Sequence, residues 1–348
     1  MFDHLAGNQS VKQLFRRMLE SRRVPGALLF SGEEGIGKRL FALELAKALN
    51  CRAPLGVEAC GKCAACVRIS KINFPASANP EDLKKILWTD HPDVGLVRPP
   101  SRVFHVVQMR AIEREANYRP FEGAARVFLI DDAHKLNEAS SNALLKTLEE
   151  PPHTSHVVLI TPRPAALLPT IRSRCQAIRF SPLPPDEIEQ LLLKNKFAPA
   201  AEARLRARSA DGSIGRALTG DLSAFREQRD SMLEVLRAAA STGDRSYLLR
   251  AAEQMNDARH KDDYESSLDL LEGLIRDAWM LSLGVEERQV VNADLRAELA
   301  KIGQGLDSRL AADWISQIEE LREQLAVNIN RKVATDALFL SMAAGANV

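Results

Sequence analysis

Five short apolar runs set the strongest limit on what this chain can fold into: GALLF (26–30), DVGLV (93–97), RVFLI (126–130), HVVLI (156–160) and QAIRF (176–180). Nearly every residue in them is apolar and many are β-branched, the pattern of strands buried on both faces of a parallel sheet. Helical stretches such as RLFALELAKALN and ASSNALLKTLEE lie between them. That alternation predicts a doubly wound α/β domain over residues 1–180. SPLPPDE (181–187) then breaks the pattern, its prolines ending one element and Asp186 or a nearby polar residue placed to cap the next helix. Beyond residue 181 nothing reads as a strand. IEQLLLKNK and AEARLRARSA predict short helices ending at Gly212. From about residue 223 the helices lengthen: Leu271, Leu274, Ile275, Ala278 and Trp279 form one helical stripe, and Trp314, Ile318, Leu321 and Leu325 another. Such stripes predict a helical bundle.

FSGEEGIGKRL (30–40) lies between the first strand and a helix, the setting a phosphate loop requires. Gly32, Gly37 and Lys38 fit G-x-x-x-x-G-K-[ST], and Gly35 adds freedom to the turn. Glycines let backbone N–H groups converge on phosphate oxygens, and the helix N-terminus adds positive potential. Lys38 is the group that reaches the outer phosphates; a Gly-rich turn without nucleotide is the plainer alternative. RVFLIDDAHKL places Asp131 and Asp132 at the C-terminal end of a strand. In a phosphate-loop ATPase the first acid orders Mg²⁺ and the second, usually Glu, orients the attacking water. Thr161 ends the next strand, where a polar residue senses the γ-phosphate. SRC puts Arg174 just before the last strand, and GSIGRAL offers Arg216.

The loop departs from its pattern at one position, where Arg39 replaces the Ser or Thr that ligates Mg²⁺. A guanidinium has no lone pair to give and stays charged at any working pH. Losing the metal damages hydrolysis more than binding, because Mg²⁺ neutralises charge that develops during transfer. Two places for Arg39 follow from the sequence: paired with a phosphate, or swung into solvent.

Cys51, Cys60, Cys63 and Cys66 give C-x8-C-x2-C-x2-C. Four thiolates close a tetrahedral shell around Zn²⁺ and leave no position for water, so such a zinc is structural. A redox role for Cys63-Ala-Ala-Cys66 is the weaker reading, with two further cysteines so near. Cys175 is expected to be a packed core thiol. With 47 basic and 46 acidic residues the net charge is +1, so no global field draws the chain to nucleic acid or membrane. No apolar run reaches the ~20 residues of a membrane span. The N-terminus lacks a secretory pattern. A cytoplasmic location is the resulting expectation, and in that compartment thiols stay reduced.

GEEGIGK, the four early cysteines, LIDDAHKLNEASSNALLKTLEEPP, LPTIRSRC and GSIGRAL together resemble the AAA+ clamp-loader subunits of bacterial DNA polymerase III, over nearly the whole chain. LREQLAVNINRKVATDALFL narrows the likeness to a member whose own nucleotide site is commonly degraded; Arg39 and Asp132 depart from the motor subunits' Gly-Lys-Thr/Ser loop and Asp-Glu pair. The resemblance implies an α/β AAA+ (phosphate-loop, RecA-like) domain over 1–180 with a zinc module at 51–66. It implies a small helical lid over 181–222 and an all-α oligomerisation collar over 223–348. It further implies a hetero-oligomeric ring with delta and tau/gamma-type subunits, acting on the sliding clamp and primed DNA in DNA replication. Arg174 would be the arginine finger given in trans to a neighbour; the plainer alternative is a structural ion pair near the strand end. ATP and Mg²⁺ at the chain's own site would be weak or absent, with no autonomous catalysis, although the holoenzyme is a DNA-directed DNA polymerase, a nucleotidyltransferase. The competing expectation is an ATP-hydrolysing motor subunit of tau/gamma type. Segment 67–90 is longer than this family usually carries and reads as a surface insertion.

Overall fold

The computed structural model describes residues 2–72, 85–257, 264–284, 290–326 and 330–345. They divide into two compact units, Met1–Thr219 and Gly220–Val348. In the first unit, β1 (Ala27–Ser31), β2 (Leu87–Trp88), β3 (Val94–Val97), β4 (Arg126–Ile130), β5 (Ser155–Thr161) and β6 (Gln176–Arg179) form one sheet in the order β2-β3-β4-β5-β1-β6. Every neighbouring pair is parallel except β2 and β3. All five apolar runs are strands, each within a residue of its expected ends. The short edge strand β2 has too few residues to show a period; Trp88 holds it by packing edge-on to Phe128 at 6.0 Å.

Alternation along the strands feeds two cores. Leu28, Phe30, Val127, Leu129, Val158 and Ile160 face one side, with α1 (Gln9–Glu20) and α2 (Lys38–Asn50). Leu29, Phe128, Ile130, Val157 and Leu159 face the other, with Met109 and Ile112 of α4 (Val106–Ala116) and Leu144 and Leu148 of α5 (Glu138–Glu149). The first core is aromatic: the Phe30, Phe41 and Phe180 rings lie 5.1–5.2 Å apart in a chain that Phe15 and Phe2 extend. Between α2 and β2 lies α3 (Ala64–Ser70), carrying the last cysteine of the four. Of the segment read as an insertion, residues 73–84 lie outside the described residues; its flanks belong to the fold, since Ile72 bridges Thr89 and Ile69 is buried.

After β5 come the single turn α6 (Pro169–Arg172) and β6. Three helices close the unit: α7 (Pro185–Lys194), α8 (Ala200–Arg208) and α9 (Ile214–Thr219). The cap of α7 differs from expectation. Pro184 holds the cap position and Pro185 starts the helix, where its missing N–H costs nothing, while Asp186 sits in the first turn.

The second unit is helical among its described residues: α10 (Leu222–Arg237), α11 (Arg245–Met255), α12 (Tyr264–Ser282), α13 (Arg296–Gly303), α14 (Ser308–Ala326) and α15 (Arg331–Gly345). Its core takes both expected stripes, Leu271, Leu274, Ile275 and Ala278 from α12 and Trp314, Ile318 and Leu321 from α14. Trp279 and Leu325 pack against the rim of that core. No described helix is long and apolar enough to cross a membrane.

Candidate functional site

The phosphate-loop residues gather at the C-terminal edge of the parallel strands, the edge on which open α/β sheets bind ligands. Gly32–Gly37 joins β1 to α2, Asp131 follows β4, and Thr161 ends β5, the strand between them. Each group of the expected nucleotide site is engaged within the chain. Lys38 Nζ donates to the carbonyl oxygens of Glu33 and, at 2.6 Å, Gly32. Its side chain is buried, and desolvation lowers its pKa against the pull of Asp131, Glu34, Glu33 and Asp132. Arg39 is half-exposed and pairs within the chain. Its Nη1 lies 3.0 Å from Asp131 Oδ2, so a fixed cation faces the carboxylate that orders Mg²⁺ in an active site. Arg98 Nε, 3.6 Å from the same oxygen, adds a second guanidinium.

Asp132 adopts a left-handed backbone (φ 57°) and accepts a bond from Lys135 Nζ at 3.0 Å. Thr161 Oγ1 accepts the Arg163 N–H at 3.0 Å. Arg216 pairs with Asp211 at 3.1 Å. The first turn of α9 reaches the loop directly, with Gly215 N donating to Gly35 O at 2.9 Å. A Cβ on Gly35 would lie 2.2 Å from Ser213 Oγ, and one on Gly215 would lie 3.0 Å from Gly35 Cα. Only glycines allow this approach.

The four cysteines form a second cluster. Their sulfur atoms all lie within 4.8 Å of one another, and Cys51 Sγ and Cys63 Sγ are 3.9 Å apart. A tetrahedron with metal–sulfur bonds of ~2.3 Å has edges of ~3.8 Å, so the spacing suits a metal shell. Backbone N–H groups of Cys60 and Cys63 point at Cys51 Sγ and Cys60 Sγ, both at 3.2 Å. Burial pushes the Cys63 thiol up, but N–H groups of Cys66 and Arg52 and the neighbouring thiols outweigh it and bring it down to about 6. Cys175 is buried in the sheet core, and burial pushes its thiol up to about 12.

Arg174 stands apart from all of this. It precedes β6, whose Gln176 is level with Leu28 while its Arg179 is level with Ser31, next to the loop. Arg174 therefore sits at the N-terminal edge of the sheet, about 20 Å along the strand direction from its own phosphate loop. Its Nη1 donates to Thr170 O at 3.2 Å and its Nη2 lies 3.3 Å from Glu149 Oε1. Sequence reasoning missed Glu149, Arg98 and Lys135. Only Arg98 had a signal, since it follows β3 at the ligand-binding edge.

Residues 7–184 match the profile of a family described as DNA polymerase III, delta subunit. Residues 223–342 match the one described as DNA polymerase III, delta subunit, C terminal. A parallel sheet with a phosphate loop, followed by helical segments under those two profiles, defines the class: an AAA+ clamp-loader subunit. The Bacillus subtilis DNA polymerase III subunit delta' is 28% identical over 335 residues, 96% of this chain and 96% of the relative. The Escherichia coli subunit delta' is 30% identical over 318 residues, 90% of this chain and 87% of the relative. The chain belongs to the delta-prime family of DNA polymerase III clamp-loader subunits. It also resembles the Escherichia coli subunit tau, 34% identical over 223 residues, which are 63% of this chain and 32% of tau.

Proposed function

We propose that this subunit activates a neighbour rather than hydrolysing ATP itself. Arg174 serves as the arginine finger in trans, and the chain's own nucleotide site is degenerate. The observation that carries this reading is the position of Arg174 ahead of β6, on the sheet edge opposite its own loop, where it is out of reach in cis. A finger stabilises charge on the phosphoryl group in transfer. The degenerate site rests on the ion pair of Arg39 with Asp131, on Lys38 bound to loop carbonyls, and on Gly215 seated against Gly35. Gly32, Gly35, Gly37, Asp132, Thr161 and Arg216 then keep the architecture of a site that holds ATP and Mg²⁺ weakly or not at all. The motor reading needs Lys38, Asp131 and Asp132 freed together.

In this account Cys51, Cys60, Cys63 and Cys66 hold one structural Zn²⁺. The chain works as an AAA+ domain (1–180), a lid (181–222) and a collar (223–348) that docks with delta and tau/gamma-type subunits in the cytoplasm. The assembled loader places the sliding clamp on primed DNA. The test is steady-state ATPase of the reconstituted loader with clamp and primed DNA. Arg174→Ala should assemble normally and lower the rate; a complete finger is worth on the order of 10³-fold at one site, and less in the bulk rate of several sites. Arg174→Lys should also fall short, because an ammonium lacks the planar fork. An unchanged rate with Arg174→Ala would remove the finger role.

A further inference from the structure

Arg174 is tethered before any partner arrives. Thr170 O takes Nη1 at 3.2 Å, and Glu149 Oε1 lies 3.3 Å from Nη2. The Nε is buried and makes no hydrogen bond. A guanidinium carries five N–H donors in a fixed plane. Thr170 O takes one donor of Nη1 and Glu149 pairs with Nη2 by charge, which leaves donors on both Nη atoms for a phosphoryl oxygen. We infer that Glu149, the last residue of α5, is a positioning residue for the finger: it sets the plane and reach of Arg174. The inference rests on the finger role proposed above.

The pair is too weak to sequester the arginine. The Arg174 and Glu149 side chains are 32% and 58% exposed. Such a pair changes an equilibrium by at most about fivefold. A charge-assisted bond to phosphate in a closed interface is stronger. The pair suffices to bias rotamers of a long side chain, whose ordering otherwise opposes every encounter with the neighbour's nucleotide. Thr170 O holds one branch of the fork by backbone geometry alone, so Glu149 supplies the adjustable half. The two opposing views of Glu149 differ in sign. As a competitor for the finger, its removal would speed the neighbour's hydrolysis; as a positioning group, its removal slows it.

Steady-state ATPase of the reconstituted loader decides between them. Glu149→Ala is expected to lower kcat about threefold, with KM for ATP and the unfolding temperature of the subunit unchanged. Glu149→Gln, which keeps the length of the side chain but removes its charge, should lose about as much as Glu149→Ala. Adding Glu149→Ala to Arg174→Ala should cost nothing more, a coupling that a purely structural role would not produce. A Glu149→Ala loader at the parental rate or faster, with Arg174→Ala impaired, overturns the positioning role alone. So does a further loss in the double variant. Full activity with Arg174→Ala overturns the finger and the positioning role together.

Discussion

The Arg39 guanidinium stands 3.0 Å from Asp131 Oδ2, in the position where a phosphate loop's pattern has Ser or Thr. A partly exposed pair of this kind contributes only ~0–1 kcal/mol to stability. Its consequence is electrostatic: a cation already faces the carboxylate that would attract Mg²⁺, with Arg98 beside it. Arg39→Thr restores a hydroxyl ligand and removes one of the two guanidinium groups beside Asp131. Mg²⁺-dependent nucleotide binding by the isolated chain should tighten, by about tenfold or ~1.4 kcal/mol. Hydrolysis should stay low, because Asp132 is shorter than Glu and paired with Lys135. Calorimetric titration with and without Mg²⁺ measures the first effect, and phosphate release the second. An Arg39→Thr chain that gained no affinity would place the block elsewhere, with Gly215 against the loop as the next candidate.

At the scale of elements, the cysteine cluster ties down the N-terminal segment. Glu58, between Cys51 and Cys60, accepts the Phe2 N–H at 2.9 Å and Arg16 Nε at 2.6 Å. Phe2 is thereby held in the aromatic core against Phe15 at 5.5 Å. Buried Lys12 donates to Leu5 O at 2.7 Å. Asn8 clasps Ser181 in both directions, at 2.8 and 3.2 Å, where β6 leads into α7. Residues 2–8 thus run as a strap from the cysteines to the entry of the small helices. A Cys₄ zinc site contributes on the order of 10 kcal/mol to a segment with little core of its own. Elemental analysis should find one zinc per chain. Chelation should raise amide hydrogen exchange in residues 2–8 and 51–66 first, then near Ser181. Glu58→Ala with the metal retained should loosen residues 2–8 while leaving the cluster protected. Unchanged exchange over residues 2–8 after chelation would break this link.

The whole molecule carries separate cores in its two units, the sheet cores before Thr219 and the bundle core after Gly220. The cysteines belong to the first alone. Metal removal should therefore lower the unfolding temperature of one calorimetric transition and leave a second in place. A single transition that shifts as a whole would mean that the two units unfold as one. Large changes in the aromatic core of the first unit, such as Phe30→Ala, should lower the same transition, by about 3–5 kcal/mol in stability.

The strands, the helical stripes, the glycine loop and the cysteine spacing were all legible in the sequence, because each is a local pattern. A strand buried on both faces must be apolar at every position, and a helix against a core must repeat every three to four residues. Cysteines two residues apart stay close in space wherever the chain takes them, the spacing a metal knuckle needs. The tertiary structure alone decided which charge meets which. Arg39 and Asp131 are 92 positions apart and become neighbours only because β5, between β4 and β1, brings their two strand ends to one edge. Glu149 meets Arg174 because α5 ends, and β6 begins, at the opposite edge. Gly35 and Gly215 touch because the small helices return to the loop. Long charged side chains have many partners of similar worth in solvent, so their pairing follows from proximity, which residue type does not encode.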